Sequence, residues 1–218
     1  MNRIVKIFAS GDEQQSLSQR FTPIERYPAF ILLELPQREV TRLEQEYPLE
    51  DITPLFSIPV ADRIVDTAPR SGKSGRVHPQ AAAAGSKKLP PGPHHYLVQF
   101  IGPIKAAWLK AVRAAGAEPR EPYRDFTYIV RADAAALKRL GELRFVRWSS
   151  HLPHSARIAT SVRHPKRAGA NTLPRAQVRP GIYTVQFFDA ANLKAALPKI
   201  KRLGFKVLAQ EARARIAV

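Results

Sequence analysis

The stretch from Tyr96 to Arg157 constrains the fold of this chain most, because short apolar runs alternate with helical patterns along it. The run Tyr96–Ile101 contains one polar residue and predicts a β-strand. Apolar side chains then recur at spacings of four, four and three residues, which is typical of one helix face. These side chains are Ile104, Trp108, Val112 and Ala115. Gly116 follows where a glycine commonly ends a helix.

The second half of the same stretch continues this alternation. A weak strand is predicted at Ala117–Arg120 and a stronger one at Phe126–Arg131. Asp133 is suited to cap a short helix that carries two leucines, and Phe145–Trp148 predicts a last strand. The resulting order β-α-β-β-α-β is that of a ferredoxin-like unit.

The rest of the chain contains imperfect copies of this unit, which predicts a repeat. The tripeptide Val185–Phe187 repeats Val98–Phe100 after 87 residues, and Gly204 stands in the place of the helix-ending glycine. Upstream, Glu25–Phe30 resembles Glu121–Phe126 at an offset of 96 residues. In both places a strand and a short helix are predicted to follow.

The predicted fold class is therefore α+β, with repeated ferredoxin-like βαββαβ units joined by Pro/Gly-rich linkers. The last unit is expected to have three strands and one helix, which leaves apolar side chains exposed on half of its sheet. The predicted segments are a small α+β ferredoxin-like domain at 1–66, a Pro/Gly-rich linker at 67–93, a ferredoxin-like domain at 94–159, a basic linker at 160–181 and a partial third βαββ unit at 182–218.

The charge of the chain is unevenly distributed. Residues 1–68 carry 7 Lys and Arg against 11 Asp and Glu, a net charge of −4, which leaves +21 for residues 69–218 out of the total of +17. Such a basic region implies an acidic partner, such as nucleic acid, a membrane surface or an acidic domain. Solubility alone is the alternative explanation. The opposite signs also permit salt-dependent docking of the first segment on the later ones.

Composition excludes several classes of site. The chain has no cysteine, and therefore no disulfide, thiolate metal site or cysteine nucleophile. No apolar run approaches the roughly 18 residues of a membrane span. The N-terminus shows no apolar signal-peptide core, so a cytoplasmic location stays open.

The histidines are the only candidate metal ligands, and they form a weak pattern. His94 and His95 are adjacent, and His151 and His154 are three residues apart, but no cysteine or carboxylate cluster joins them. Surface or loop positions are the preferred interpretation. The sequence also lacks a Gly-rich phosphate loop and a Ser-His-Asp arrangement. We therefore predict no catalytic, cofactor-binding or metal-binding residue, and no small-molecule ligand.

Four aromatic residues allow two interpretations. Tyr96 and Phe100 can share one face of the predicted sheet, as can Phe126 and Tyr128. If they lie on an open face beside basic residues, the domain resembles an RNA-recognition fold, although the Gly-aromatic signature of that fold is missing. If they face the helices, they are ordinary core residues.

Several scattered residues of the middle unit together resemble one known family. The segment Tyr96–Ile104, with Trp108, Gly116 and Tyr123, and then Phe145–Trp148, is similar to the N-terminal region of bacterial subtilisin-like serine peptidases. Residues 182–188 and 203–205 look like a further module of the same type.

This resemblance implies a propeptide-like role. Propeptides of that family have a ferredoxin-like fold, pack the open face of their sheet on the peptidase, template its folding and inhibit it until they are cleaved. The implied partner is a subtilisin-like catalytic domain, in cis if this chain is a fragment, and the implied location is extracellular. The chain itself lacks the peptidase triad motifs. The alternative is a basic ferredoxin-like nucleic-acid-binding protein.

Overall fold

The structure, a computed structural model, describes residues 2–60, 63–68, 89–159, 162, 181–211, 213 and 216–218. It divides the chain into two compact units, Met1–Ile158 and Ala159–Val218. The described residues form a mixed α/β structure with small antiparallel sheets and five α-helices. None of these helices is long and apolar enough to cross a membrane. Most of both predicted linkers, residues 69–88 and 163–180, lies outside the described residues.

The first half of the larger unit is a four-stranded sheet with two helices. Its elements are β1 (Asn2–Phe8), α1 (Gly11–Arg20), β2 (Glu25–Tyr27), β3 (Phe30–Pro36), α2 (Gln37–Leu43) and β4 (Leu49–Asp51). All neighbouring strands are antiparallel, in the order β2-β3-β1-β4. The first and third strands are therefore central, and the second and fourth are at the edges.

Alternating side chains in β1 build the core of this half. Val5 and Ile7 point to the same side and pack with Leu17 of α1 and with Val40 and Leu43 of α2, and all five are buried. Both helices therefore lie on one face of the sheet.

A short connection links the first sheet to the second. It consists of a 3-10 helix (Thr53–Phe56) and a hairpin made of β5 (Ser57–Val60) and β6 (Arg63–Asp66). Thr67 and Ala68 follow the hairpin and are buried. The first two residues of the predicted 67–93 linker are thus packed in the fold, and Ala68 belongs to a buried cluster with Ile4, Leu32 and Phe56.

The second half of the larger unit contains the same succession of elements. These are β7 (His94–Phe100), α3 (Ala106–Ala114), β8 (Glu118–Arg124), β9 (Thr127–Ala132), α4 (Ala134–Glu142) and β10 (Val146–His151). The antiparallel strand order is β10-β7-β9-β8, which is again fourth, first, third, second. The succession agrees with the order predicted for this stretch, although the weak strand predicted at Ala117–Arg120 is in fact the seven-residue β8.

Trp108 is the centre of the core of the second half, as the helical spacing predicted. It is buried and stacks on Phe145 with a centroid distance of 5.2 Å and on Phe100 with 5.8 Å. Leu140 of α4 and Val98 of β7 belong to the same cluster. Both helices of this half therefore also cover one face of the sheet.

The smaller unit contains three strands and one helix among its described residues. These are β11 (Val185–Gln186), α5 (Ala190–Arg202), β12 (Gln210–Glu211) and β13 (Ile216–Ala217). The strand order is β11-β13-β12, or first, third, second. Pro198 lies inside α5 without ending it, and Leu193 of α5 is buried.

We predict that Trp108→Ala lowers the free energy of unfolding by about 3–5 kcal/mol, because it leaves a large cavity between Phe100 and Phe145. Lys110→Ala, at an exposed position of the same helix, is the matched control and should change this value by less than about 0.5 kcal/mol. Urea unfolding measures both variants. A loss below about 1 kcal/mol for Trp108→Ala would contradict the packing described here.

Candidate interaction surface

Thr67 is fully buried and joins the two halves of the larger unit. Its backbone N–H donates a hydrogen bond to the Phe56 carbonyl at 3.0 Å, and its hydroxyl donates to the same oxygen at 2.7 Å. The hydroxyl also contacts the side-chain amide of Gln99 on β7, which is itself fully buried. The 3-10 helix packs on the first sheet through Phe56, which is in one buried cluster with Ile4 and Leu32. One threonine thus connects this helix to a central strand of the second half.

Arg147 of β10 binds the carbonyl oxygen of Thr67. Its Nε donates to that oxygen at 2.7 Å, and a second guanidinium nitrogen donates to the same atom. The guanidinium lies 4.8 Å from the centroid of the Phe56 ring. Burial lowers the pKa of Arg147, while the nearby carboxylates of Glu34 and Asp66 raise it. A guanidinium is protonated at any ordinary pH, and in this desolvated position its hydrogen bonds to a carbonyl are strong.

A second contact between the halves is at the end of β2. The Tyr27 hydroxyl donates to the Pro103 carbonyl at 2.7 Å, and burial raises the pKa of this tyrosine. The Glu25 carboxylate is 3.0 Å from Lys105 Nζ and 3.7 Å from a guanidinium nitrogen of Arg144. These ion pairs agree with the expected attraction between the acidic first segment and the basic remainder.

The face of the second sheet that points away from α3 and α4 is buried rather than open. Leu97 and Ile129 lie on this face by their alternation with the helix-side residues. Trp148 lies on it because a bulge after Val146 places it opposite Gln99, and all three side chains are buried. On the same half of the unit, the Tyr123 hydroxyl donates to the Pro59 carbonyl of the β5–β6 hairpin at 2.8 Å. The expectation of an open face on this sheet is therefore wrong, because residues of the same chain already contact it.

The aromatic residues considered for base stacking are distributed over two cores. Tyr96 and Phe100 are buried on the helix side of the second sheet, and Tyr128 packs partly against the same cluster. Phe126 lies instead at the β8–β9 turn, where its ring centroid is 5.6 Å from that of Phe56. Of the two interpretations, the structure supports core positions for Tyr96 and Phe100.

The histidines lie close together at one end of the second sheet. The ring centroid of His151 is 6.0 Å from that of His94 and 6.5 Å from that of His154, and His95 is the next residue on β7. Within the described part of the chain, no group of three or more His, Cys, Asp or Glu side chains is arranged to hold a metal ion. Burial lowers the pKa of His151, and the positive charges of Arg157, His94 and His154 lower it further.

The smaller unit presents an apolar groove of about 400 Å³. Large apolar side chains line it and are exposed, which agrees with the prediction of uncovered apolar residues in this unit. They include Ile182, Val185, Leu203, Phe205 and Leu208. This groove is the candidate interaction surface, because soluble proteins seldom expose a contiguous apolar patch without a partner.

The residues that join the halves have no signal in the sequence. The sequence pattern places Thr67 at the start of a linker and Arg147 in a strand, and it predicts no contact between them. The hydrogen bonds between them connect residues 80 positions apart. No local pattern signals such a contact.

Comparisons with known proteins add one match. The family described as "Domain of unknown function (DUF8729)" matches residues 67–153. The match begins at Thr67 and includes Gln99 and Arg147, so the buried contact between these residues lies entirely within it. No curated protein matches the chain, and no solved structure matches it.

We predict that Thr67→Val lowers the free energy of unfolding by about 1–3 kcal/mol, because a buried polar partner of Gln99 is lost. Adding Gln99→Leu to this variant should restore part of the loss, since both partners then become apolar. Chemical unfolding of the two single variants and the double variant measures the coupling. Thr41→Val, at an exposed helix position, is the matched control. Strictly additive losses would contradict the contact.

We predict that stability falls as the pH drops below the usual histidine pKa of 6.5, in part through His151. Its folded-state pKa is lowered, so the unfolded chain takes up a proton at a higher pH than the folded chain does. The contribution of neutral His151 to the free energy of unfolding is therefore fully present above pH 6.5, and it is lost as the pH falls toward the folded-state pKa. Urea unfolding at several pH values between 7.5 and 5 should show a smaller loss for His151→Asn. An unchanged pH dependence in that variant would contradict the assignment.

Proposed function

We propose that this chain is a non-catalytic, propeptide-like region of a subtilisin-like serine peptidase that acts through protein–protein contact. In this proposal, it stabilises the folded form of the catalytic domain and inhibits it until processing. The proposal includes a ferredoxin-like fold for both halves of the larger unit. Its support is the shared succession β-α-β-β-α-β, the central first and third strands, and the two helices on one face of each sheet.

The observation that carries the proposal is the exposed apolar groove of residues 181–218. A folding template needs apolar surface that a partner can bury, and this groove supplies it. In the described part of the second sheet, the face away from the helices is buried by the same chain. The contact with a catalytic domain is therefore proposed for the smaller unit, which differs from the sheet-face contact implied by the family resemblance.

The physical basis of a template role is mass action. A partner that binds only the folded catalytic domain stabilises it relative to the unfolded chain. Proteins rich in non-local strand contacts fold slowly, and they gain most from such assistance. Inhibition follows when a segment of this chain occupies the cleft of the catalytic domain as an added strand. A role of this kind implies an extracellular location.

A nucleic-acid-binding function has weaker support. The net charge of +17 favours it. Tyr96 and Phe100 are buried against α3 and cannot stack on bases. The protein-contact function is therefore the conclusion that we adopt.

The test is a refolding assay in which the full chain is added to a denatured mature subtilisin-like peptidase. We expect more recovered activity, and inhibition of the folded enzyme at higher concentration of the chain. Leu203→Glu should weaken both effects, since this side chain lines the groove and is 75% exposed. Ile64→Glu, at an equally exposed position of β6, should not. The proposal fails if the chain neither assists refolding nor inhibits.

A further inference from the structure

The groove of the smaller unit corresponds to the surface that α4 covers in the second half of the larger unit. The two regions can be compared residue by residue, because both contain a helix that ends in the same way. Gly116 N–H donates to the Arg113 carbonyl, and Gly204 N–H donates to the Lys201 carbonyl, 88 residues later. Both glycines have positive φ, +81° and +86°. The next bonds, from Ala117 to Val112 and from Phe205 to Ile200, correspond too.

Residues that line the groove correspond to core residues of the second half. Val185 corresponds to Val98, Ile200 to Val112, Leu203 to Ala115 and Phe205 to Ala117. The four residues of the second half are buried in one cluster with Ala136 and Leu140 of α4. Ala115 and Ala117 are 9% and 2% exposed, whereas Leu203 and Phe205 are 75% and 55% exposed. The described residues of the smaller unit thus have the surface that α4 covers elsewhere, without a helix on it.

The glycines show the same difference directly. A Cβ atom added at Gly116 would meet Arg139 and Ala136 of α4, at 2.7 Å and 3.7 Å. A Cβ atom added at Gly204 would meet nothing within 4 Å. The space beside Gly204 is therefore open at the position where α4 passes Gly116.

The charges around the groove indicate the chemistry of its occupant. Residues 181–218 carry seven Lys and Arg against two Asp and Glu. Lys199, Lys201 and Arg202 lie in the last turn of α5, and Lys206 lines the groove itself. A complementary ligand has acidic side chains beside its apolar stripe, since opposite charges guide association and select partners.

We propose that this groove binds an acidic amphipathic helix of a partner protein, in the position that α4 occupies in the second half of the larger unit. The helix places an apolar stripe of the α4 type, such as Ala136, Leu137 and Leu140 provide, against Val185, Ile200 and Leu203. Small residues of the bound helix face Leu203 and Phe205, because these side chains are larger than the corresponding Ala115 and Ala117 of the second half. Recognition of this kind is the helix-in-groove mode. It rests on the proposed function, which assigns this groove to a protein partner, and it adds the element of the partner that binds.

The test measures binding of synthetic helical peptides to the full 218-residue chain by fluorescence anisotropy. The probe has the sequence of residues 133–143 with glutamate in place of Lys138, which is exposed on α4. Arg139 is kept, because it donates to the Ala115 carbonyl at 2.8 Å in the contact that the peptide reproduces. We expect saturable binding that weakens as salt screens the charges. The unmodified peptide, whose two acidic and two basic side chains cancel, should bind more weakly. The acidic peptide with Leu137→Asp and Leu140→Asp should not bind, which distinguishes the groove from general attraction to a basic protein.

Variants of the chain locate the site. Leu203→Glu should weaken binding of the acidic peptide by at least about tenfold, or about 1.4 kcal/mol, whereas the equally exposed control Ile64→Glu should leave it unchanged. Because a short helix is marginally stable alone, the acidic peptide is also fused behind Val218 through a flexible linker, which raises its effective concentration. Hydrogen exchange should then slow at residues 182–186 and 203–208.

Three results would overturn the proposal. The first is no binding in trans together with no added protection in the fused chain. The second is binding that Leu203→Glu does not affect. The third is a dimer in light scattering that Leu203→Glu converts to a monomer, since the groove would then be covered by a second copy. Peptide binding without any effect on the peptidase would instead leave this site standing and reject the proposed function.

Discussion

The larger unit depends on the hydrogen bonds that Arg147 makes to the buried carbonyl of Thr67. Two donors of one guanidinium meet the same oxygen, while the Thr67 hydroxyl contacts Gln99 and the Phe56 carbonyl. A buried cation is costly without partners, so these contacts must form together. They bind the end of the β5–β6 hairpin to the second sheet, and they explain why the two halves form one compact unit.

The contacts of Thr67 and Arg147 also influence which surfaces of the larger unit stay exposed. A sheet with helices on one face commonly offers its other face for binding. In the second half of the larger unit, that face is buried, because Thr67 and the hairpin lie against this half. The smaller unit keeps an apolar groove instead. The succession β-α-β-β is therefore covered on both faces of its sheet in one place and keeps an exposed apolar groove in another.

The difference between these two places comes from a few side chains and one helix. Ala115 and Ala117 are small because α4 passes close to them, whereas Leu203 and Phe205 are large and exposed. The helix-ending glycines adopt nearly the same conformation in both places. The end of the helix thus has the same conformation in both places, although α4 covers it in only one of them. The positive charge of residues 181–218 then favours an acidic contact over an uncharged one.

The sequence alone determined the local elements of this protein. The helical spacing that includes Trp108, the capping residue Asp133 and the short apolar run along β7 predicted the order β-α-β-β-α-β correctly, because these signals act between near neighbours in the chain. It also indicated that the last unit exposes apolar side chains. Only the tertiary structure decided that Tyr96 and Phe100 face the helices, that the other face of their sheet is buried, and that Thr67 belongs to the core. The physical reason is distance along the chain: the bonds between Thr67 and Arg147 span 80 residues, and burial of a sheet face depends on which other segment reaches it.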